Sequence, residues 1–479
     1  MSAYLAIDLG TTGCRSIVFD QALNAIGTAY EEYSLITSEN GWIEQDAALW
    51  WTMTLRTAKK AITDSGINPC CIKGISISSQ GITIVPVNAK LEPLDNAISW
   101  LDTRAKLETE QLLTEEGDEK LFLQTGKHID AVYSLPKILW LKKNRRSIFE
   151  QAYKILMPMD FLIGKLTGQC VTDHSMASGT LLYDICKAGW SHALLSKYEI
   201  PEDRLPEIRR SGEVVGTVLP GVAAELGLRE DCIVAVGAQD QKCAAFGAGL
   251  QEGVITVSLG TACAVSKLWH TAQLKNFRQV AWCGYVQENL WVTEGVINTA
   301  GAALRWLRDL MFKDESYAVL DEEAERAVQN GSQMKFYPYL SESNEAGVFT
   351  GMNLGSKRGD FAAAVLEGVA FQIRTLLQKM GTYAASDSLV LFGGGAKSLL
   401  WCQIIADVTG LKVKIPRTEE AASAGAAKLA AKACGSVLPP LDYTRTVYPS
   451  ERRESYDRKY RLYCETEHRL YEGKRHDSD

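Results

Sequence analysis

One pattern occurs twice in this chain: an apolar run, a turn rich in glycine and threonine, and a second apolar run. The two copies span residues 5–20 and 254–265, near the start of each half. The turns contain Gly10, Thr11, Thr12 and Gly13 in the first copy and Gly260 and Thr261 in the second. Short apolar runs joined by a glycine-containing turn predict a β-hairpin. The repetition therefore predicts a duplicated domain whose two hairpins could hold one polyphosphate.

The first turn has the chemistry of a phosphate and metal site. Its backbone N–H groups and hydroxyls form a concavity that can hold an anion. Asp8 precedes the turn and can hold Mg²⁺, because that ion commonly bridges carboxylate and phosphate. Arg15 adds a positive charge beyond the turn, whereas the second copy has Ser258 in place of the acid. An ordinary hairpin explains the same residues, since glycine-rich turns are common.

Composition limits the classes of partner and the compartment. The 479 residues suggest two or three domains, and the net charge of −7 favours neither nucleic acid nor an anionic membrane. No apolar run approaches the roughly 18 residues that span a bilayer. The N-terminus enters a strand almost directly, without a basic region before an apolar one. Twelve cysteines without a CxxC pair favour a reducing cytosol, so we expect a cytoplasmic protein.

Polar residues follow two of the predicted strands in the first half. The strand over 72–78 leads into Ser79, Gln80 and Gly81, and the run 82–87 is expected to continue the same sheet. Polar side chains at a strand end of an open α/β sheet are candidate ligand contacts, although a tight turn explains them as well. A further strand ends near Trp100. Beyond it Asp102 and Arg104 could form a structural ion pair, or one of them could face a ligand.

An acidic residue follows the strongly apolar strand over 232–237. Asp240 stands between that strand and a helix of small residues. A carboxylate at this place could accept a proton from a bound hydroxyl group. It could also cap the helix N-terminus, and the two roles are compatible.

A third loop and several helices complete the pattern. The strand over 388–391 enters three consecutive glycines, 393–395, where a flat ligand could approach the backbone closely. Helices are predicted after the N-cap Asp46, over 361–380, over 419–433 and after Arg452, the last with a frayed, solvated end.

Taken together, these motifs resemble the FGGY family of carbohydrate kinases. The similarity rests on residues 8–12, 41–46, 100–104, 240–241, 258–261 and 393–396, and it runs in order from about residue 3 to 445. The resemblance implies an α/β fold of two actin-like, ribonuclease-H-like domains with an active-site cleft between them. We expect a sugar and Mg²⁺ domain over 1–245, a nucleotide domain over 246–450 and a terminal helix over 451–479.

The resemblance also implies roles for individual residues. Asp8 matches the residue near Mg²⁺, and Asp240 matches the catalytic base. The nucleotide ATP is expected at three loops, which contain Gly10, Thr11, Thr12 and Arg15, then Gly260 and Thr261, then Gly394, Gly395 and Ala396. Candidate sugar contacts are Ser79, Gln80, Trp100 and Asp102, together with Asp240.

The expected activity is ATP-dependent phosphorylation of a hydroxyl group on a small sugar or polyol. Glycerol kinases carry Arg-Glu where this chain has Gln80-Gly81, which disfavours glycerol. Xylulokinases typically carry Met-His at Ser79-Gln80, and this departure counts against D-xylulose itself but leaves a related ketose or polyol. The expected acceptor is therefore a small sugar or polyol, such as a ketose of the xylulose type or a relative.

Two other functions are compatible with parts of the pattern. An actin-like or chaperone-type ATPase would use the same hairpins without a sugar acceptor. A pseudoenzyme would bind sugar as a regulator. Asp240 and the polar stretch 78–83 argue against the ATPase, and the retained Asp8, Asp240 and threonine loops argue against the pseudoenzyme. The sequence leaves the oligomeric state open, with a homodimer as one arrangement.

Overall fold

The computed structural model describes residues 2–313, 315–341, 346–381 and 386–471. Within these residues the chain forms two compact units, each built from more than one segment. The first unit contains the chain up to Gly247 and the segments 269–292 and 420–440. The second unit contains 248–268, 293–419 and the chain from Leu441 onward.

The strands, β1 to β24 in chain order, have the following bounds: Ala3–Leu9, Gly13–Phe19, Ala25–Glu32, Ile36–Thr37, Ile43–Gln45, Ile72–Ser79, Val85–Val87, Ala97–Ile98, Lys154–Leu156, Val171–Asp173, Tyr183–Asp184, Gly189–Trp190, Glu207–Arg209, Val214–Thr217, Ile233–Gln239, Val254–Leu259, Cys263–Trp269, Ala281–Gly284, Trp291–Ile297, Lys335–Tyr337, Val348–Thr350, Ser388–Phe392, Lys412–Pro416 and Tyr443–Val447.

The α-helices, α1 to α16 in chain order, have the following bounds: Ala47–Asp64, Lys106–Glu116, Asp118–Thr125, Ser134–Asn144, Arg146–Gln151, Pro158–Thr167, His174–Ala177, His192–Lys197, Pro220–Leu226, Asp240–Ala248, Gly301–Met311, Tyr317–Gln329, Arg358–Lys379, Leu399–Thr409, Ala421–Ala433 and Arg453–Tyr471. Short 3₁₀ turns cover Pro69–Cys71, Glu202–Arg204 and Gly394–Lys397.

A six-stranded sheet forms the centre of the first unit, in the order β14-β15-β6-β1-β2-β3. β1, β2 and β3 are antiparallel neighbours, and β1, β6 and β15 run parallel. β1 is almost continuously apolar because both of its faces are covered. Leu5 and Ile7 pack into a core that includes Trp50 of α1, whereas Tyr4 packs against Ala430 of α15.

A seven-stranded sheet repeats this arrangement, and six of its strands, in the order β19-β17-β16-β22-β23-β24, follow one another in the part that forms the second unit. β16 and β17 form an antiparallel hairpin, and β16, β22 and β23 run parallel. The long helix α13 is buried on nearly every side, and the tyrosines of α16 pack against it. Each unit thus combines an antiparallel hairpin with parallel strands and flanking helices. Both predicted hairpins are confirmed.

Most predicted elements are present, and one prediction is wrong. Asp46 caps α1 by accepting hydrogen bonds from the main-chain amides of Ala48 and Leu49, as expected. The run 82–87 does not continue the sheet. The chain turns after β6, with Ile82 at a φ of 70°, and β7 pairs with β9 in a separate two-stranded sheet.

The terminal segments also follow the prediction in part. α16 is the expected terminal helix, and its predicted frayed end after Tyr471 lies outside the described residues. α15 belongs by its contacts to the first unit, although it lies late in the chain. None of the helices in the described ranges is long and apolar enough to cross a membrane.

Candidate active site

The carboxyl ends of three parallel strands meet at one edge of the first-unit sheet. In the β1–β6 ladder, Asp8 lies opposite Ser78 and Leu9 lies opposite Ser79. In the β6–β15 ladder, Gln239 lies opposite the same Ser79, and Asp240 follows directly. Ligands of open α/β sheets bind beyond the carboxyl ends of the strands. The structure therefore brings Asp8, Ser79 and Asp240 to one edge of one sheet.

The end of β15 is shaped by an irregularity in its pairing. The register shifts between Ala235 and Ala238, and a Cβ atom on Gly237 would lie 1.7 Å from the main-chain oxygen of Ile77. Only glycine allows this approach, and such bulges re-aim the residues that follow them. α10 then begins at Asp240, whose carboxylate accepts hydrogen bonds from the Gln241 main-chain amide and the Gln239 side chain. The carboxylate thus bonds the main-chain amide of the next residue, at the start of its own helix.

The helix that carries Asp240 is held by α15. A Cβ atom on Gly425 would lie 2.0 Å from the main-chain oxygen of Cys243, so the two helices cross at glycine contact. Lys428 of α15 donates a hydrogen bond to the Gly247 carbonyl oxygen at 2.7 Å, near the C-terminus of α10. A cation there interacts favourably with the helix dipole, while burial lowers the pKa of Lys428 to about 8.

The first glycine–threonine turn is braced from several sides. The main-chain amide of Gly10 donates to the Gly13 oxygen at 2.9 Å and closes the turn. The side chain of Gln45 donates to the Thr11 main-chain oxygen at 2.6 Å. The Trp100 indole N–H donates to the Thr11 hydroxyl at 2.9 Å. Thr12 is exposed, so the turn is rigid and still accessible to a ligand.

The charges beside the turn are partly compensated within the protein. Burial raises the pKa of Asp8 to about 6, although the Ser78 hydroxyl and the Arg15 charge oppose this shift. Arg15 lies opposite Asp8 in the β1–β2 ladder and forms an ion pair with Glu420. An oxygen ligand whose charged form is disfavoured by burial is suited to a bound cation. Asp8 therefore fits a Mg²⁺ ion whose other ligands come from phosphate and water.

Gln80 lies buried at the end of β6 and keeps one polar atom unused. Its side-chain nitrogen donates to the Gln45 side-chain oxygen at 2.8 Å. Its own side-chain oxygen has no hydrogen-bond partner among the described residues, although the residue is only 2% exposed. The neighbouring Gly81 packs closely against the side chain of Gln239. A buried oxygen without a donor, close to the strand end that leads to Asp240, is suited to receive a ligand hydroxyl group.

Trp100 and Asp102, two other expected sugar contacts, differ in their surroundings. Trp100 is 36% exposed, and its main-chain amide donates to the hydroxyl of Thr83 at 3.0 Å. Asp102 is fully buried and accepts hydrogen bonds from Arg104 and from the Ile43 main-chain amide. These bonds hold the pKa of Asp102 below its usual value against the opposing effect of burial. The two residues form the ion pair foreseen as one alternative, and it occupies both carboxylate oxygens.

The ion pair of Asp102 belongs to a larger cluster. Arg104 also binds Glu44 at 2.8 Å, and its guanidinium group stacks over the rings of Trp42 and Trp140. The cluster fixes the loop that carries Trp100. Asp102 is therefore better suited to support that loop than to touch a sugar directly.

The second unit places its two glycine loops together. Gly260 closes the second hairpin turn by donating to the Ala262 oxygen at 3.0 Å. The Gly260 oxygen then accepts from the Gly301 amide at the start of α11, also at 3.0 Å. Gly393 has a φ of 92°, and a Cβ atom there would lie 2.8 Å from the main-chain oxygen of Leu259. Nothing lies within 4 Å of a Cβ built on Gly394, which leaves room for a planar group.

Some residues at these loops were not identified from the sequence. The sequence motifs include Gln45 only as part of the stretch 41–46, and they do not distinguish Tyr33 or Thr83 from their neighbours. The Tyr33 hydroxyl bonds the Gly10 main-chain oxygen, and Thr83 receives the Trp100 amide. The signal in the sequence was weak, because one polar residue on a short strand is also typical of an edge strand. Within the described ranges, no cluster of three or more His, Cys, Asp or Glu side chains could hold a metal ion.

The fold and the residues at the loops define an ATP-dependent kinase that phosphorylates a sugar or polyol. The N-terminal and C-terminal domains of the FGGY family of carbohydrate kinases match residues 3–247 and 255–434, and the chain belongs to this family. The relatives do not favour the chaperone-type ATPase.

The relatives of this chain are named for two different substrates, xylulose and glycerol. The chain is 29% identical to a xylulose kinase of Bacillus subtilis, over 91% of this chain and 89% of the relative. It is 32% identical to a glycerol kinase of Mycoplasma genitalium, over 95% and 93%. A crystal structure of a xylulose kinase from Brucella ovis superposes with a TM-score of 0.88 at 30% identity, covering 100% of both chains.

Proposed function

We propose that this kinase phosphorylates an open-chain ketose or polyol that is longer than glycerol. The substrate is xylulose or a relative of it, and Asp240 is the general base. The observation that carries the proposal is the common edge of β1, β6 and β15, which collects Asp8, Ser79 and Asp240. Phosphoryl transfer depends on positioning and charge neutralisation more than on covalent chemistry. An acid, a metal ligand and polar strand-end residues at one edge supply these requirements.

Asp240 is suited to orient and deprotonate the acceptor hydroxyl. Its carboxylate oxygen would accept a hydrogen bond from the hydroxyl group in the ground state. It would take the proton as the acceptor oxygen bonds the γ-phosphorus and the bond from that phosphorus to the leaving ADP breaks. The hydrogen bonds from Gln241 and Gln239 limit its rotation, and the contact of α10 with α15 limits the movement of its main chain. Ser79 and Gln80 would contact the sugar from β6. Trp100 would contact it from the loop that the Asp102–Arg104 pair supports, so we assign Asp102 a positioning role instead of the sugar contact expected from the sequence.

The nucleotide would be held by backbone amides and hydroxyls. Gly10, Thr11 and Thr12 would bind phosphate in the first unit, where Arg15 would exchange its contact with Glu420 for the ligand. Gly260 and Thr261 would bind phosphate in the second unit, and Gly394, Gly395 and Ala396 would line the adenosine. Mg²⁺ held at Asp8 would neutralise phosphate charge. We also place the enzyme in the cytoplasm, because all twelve of its cysteines are free.

The choice of acceptor rests on the neutral pair Gln80-Gly81. An amide can donate to and accept from sugar hydroxyls, whereas it offers no charge with which to grip a short triol. The test is ADP release measured over ketoses, aldoses, polyols and their deoxy forms, with glycerol included. ADP release should depend on the acceptor and be most efficient with a ketose or longer polyol. Release that is independent of the acceptor, or efficiency greatest with glycerol, would reject the proposal.

A further inference from the structure

A chain of two buried side-chain amides connects the phosphate turn with the proposed acceptor pocket. The Gln45 nitrogen donates to the Thr11 main-chain oxygen, and the Gln80 nitrogen donates to the Gln45 oxygen. Gln45 is fully buried, and Gln80 is almost so. Both side-chain amides are neutral, so hydrogen bonding decides how they are oriented.

The orientation of both amides follows from one atom. A carbonyl oxygen can only accept, so the group that Gln45 turns towards Thr11 must be its NH₂. The Gln45 oxygen then faces Gln80, so the group that Gln80 turns towards it must be the NH₂ group, which donates the hydrogen bond. The remaining atom of the Gln80 amide is its oxygen, which is the buried acceptor without a partner in the described structure. A rotation of Gln80 by half a turn would place two oxygens against each other.

We propose that Gln45 is a specificity-determining residue that orients the Gln80 amide so that its side-chain oxygen is the hydrogen-bond acceptor presented to the substrate. The inference rests on the proposed function, which places Gln80 beside the sugar. A hydroxyl group can donate to the Gln80 oxygen, but a carbonyl or carboxylate oxygen at the same position cannot. The phosphoryl acceptor must therefore carry a hydroxyl group where it meets the Gln80 side-chain oxygen. Its keto group, when it has one, lies elsewhere in the pocket.

The same residue couples the two ends of the site. Thr11 receives Gln45 on its main-chain oxygen and Trp100 on its hydroxyl group, so two acceptor-side residues hold one residue of the phosphate turn. Gln45 touches no reacting atom and acts through Gln80 and Thr11. It is a positioning residue, and its loss should change the choice of acceptor as well as the rate.

The test begins with the wild-type enzyme and a matched set of acceptors. For each carbon of the preferred acceptor, kcat/KM is measured for the hydroxyl compound, the deoxy compound and the oxo compound. At the carbon that meets Gln80, the oxo compound should be no better than the deoxy compound, because neither can donate. An oxo compound that restores most of the efficiency at every carbon would overturn the inference without any variant.

Two variants then separate the inference from the proposed function. Gln80→Ala should abolish the difference between hydroxyl and deoxy compounds at one carbon, with the KM for ATP unchanged. Gln45→Met keeps the volume of the side chain and frees the Gln80 amide to rotate. For that same carbon, this variant should raise kcat/KM of the oxo compound, relative to that of the deoxy compound, about tenfold.

The outcomes distinguish the two statements. If Gln80→Ala leaves kcat/KM unchanged for every acceptor, Gln80 does not line the pocket and the proposed function of that residue fails. If Gln80→Ala has its effect but Gln45→Met selects acceptors as the wild type does, only the role of Gln45 fails. Thermal unfolding of both variants checks that they are folded, and the wild-type comparison stands if they are not.

Discussion

The hydroxyl of Ser175 accepts a hydrogen bond from the main-chain amide of Gln239 at 2.9 Å, one residue before Asp240. Ser175 is itself held by Asp173, whose buried carboxylate accepts from the Ser175 hydroxyl and caps α7. The end of β15 is thus attached to a second element of the first unit. The position of Asp240 depends on this attachment as well as on the strand.

Ser175→Ala should lower kcat while leaving the KM for ATP near its wild-type value. Loss of the contact to Gln239 loosens the strand end, and small displacements of a catalytic group cost on the order of tenfold to hundredfold in rate. Steady-state kinetics with saturating acceptor measure the effect. Ser191→Ala is a matched control, because Ser191 is also buried and caps α8. Equal losses in both variants would assign the effect to stability alone.

Asp240→Asn should reduce phosphorylation by about 10²–10⁴-fold, the usual effect of losing a general base. The amide still accepts hydrogen bonds from its neighbours, so binding of ATP should persist. Single-turnover phosphorylation and nucleotide titration measure the two properties separately. Asp231→Asn, which changes an exposed acid paired with Arg229, serves as the control. Near wild-type turnover by the Asp240 variant would remove this residue from catalysis.

Asp8→Ala should raise the Mg²⁺ concentration needed for half-maximal activity. Asp8 is the single acid in the strands and turns of the β1–β2 and β16–β17 hairpins, and the desolvation of its half-buried carboxyl group favours a compensating cation. Titration of Mg²⁺ at fixed ATP and saturating acceptor gives the measurement. An unchanged Mg²⁺ dependence would mean that Asp8 only supports the turn.

Gly425→Ala should destabilise the protein by about 1–3 kcal/mol, because the new methyl group overpacks the crossing of α15 with α10. It should also lower kcat, since α10 begins at Asp240. Gly221→Ala is the matched control. Gly221 lies in α9, and no atom lies within 4 Å of the methyl group that the substitution adds. The variant should therefore change the free energy of unfolding by no more than about 1 kcal/mol. Equal melting temperatures for the two variants would contradict the tight crossing.

Asp160→Asn should flatten the dependence of stability on pH. Burial raises the pKa of Asp160 to about 8, from a usual value of 3.8. Because the unfolded chain ionises this group at lower pH than the folded protein does, its presence costs stability as pH rises from about 4 to 8. The asparagine keeps a neutral group and removes this loss. Melting temperatures from pH 5 to 8 measure it, and parallel curves for variant and wild type would contradict the shift.

The sequence predicted the elements better than it predicted contacts between distant side chains. Both hairpins, the Asp46 cap and the strand before Asp240 follow from local patterns of apolar residues, glycine and capping groups. The run 82–87 has the same apolar pattern as a strand of the main sheet. The run leaves the main sheet because the backbone turns at Ile82, and the pattern of side chains does not predict this turn. Periodicity alone cannot assign a strand to one of two sheets.

The candidate site shows the same division. Asp8, Gln80 and Asp240 are candidates because each stands at the end of a predicted strand, and the ladders bring these strand ends together. The links through Gln45 and Ser175 could not be read from the sequence, because they join residues that are 35 and 64 positions apart. Asp102 and Arg104 were correctly considered as a pair. Local sequence does not show how many bonds a carboxylate makes, so Asp102 was also expected to contact the sugar.

The position of α15 also determines when the first unit can finish folding. The Tyr4 hydroxyl lies 2.5 Å from that of Ser436, across 432 residues of chain. At a synthesis rate of roughly 5–20 residues per second, Ser436 is synthesised on the order of 20–90 s after β1. Until then one face of its sheet lacks the alanine-rich helix that covers it. The nascent chain is therefore expected to expose this apolar face of the sheet during translation, and a chain that ends before residue 420 should expose it permanently.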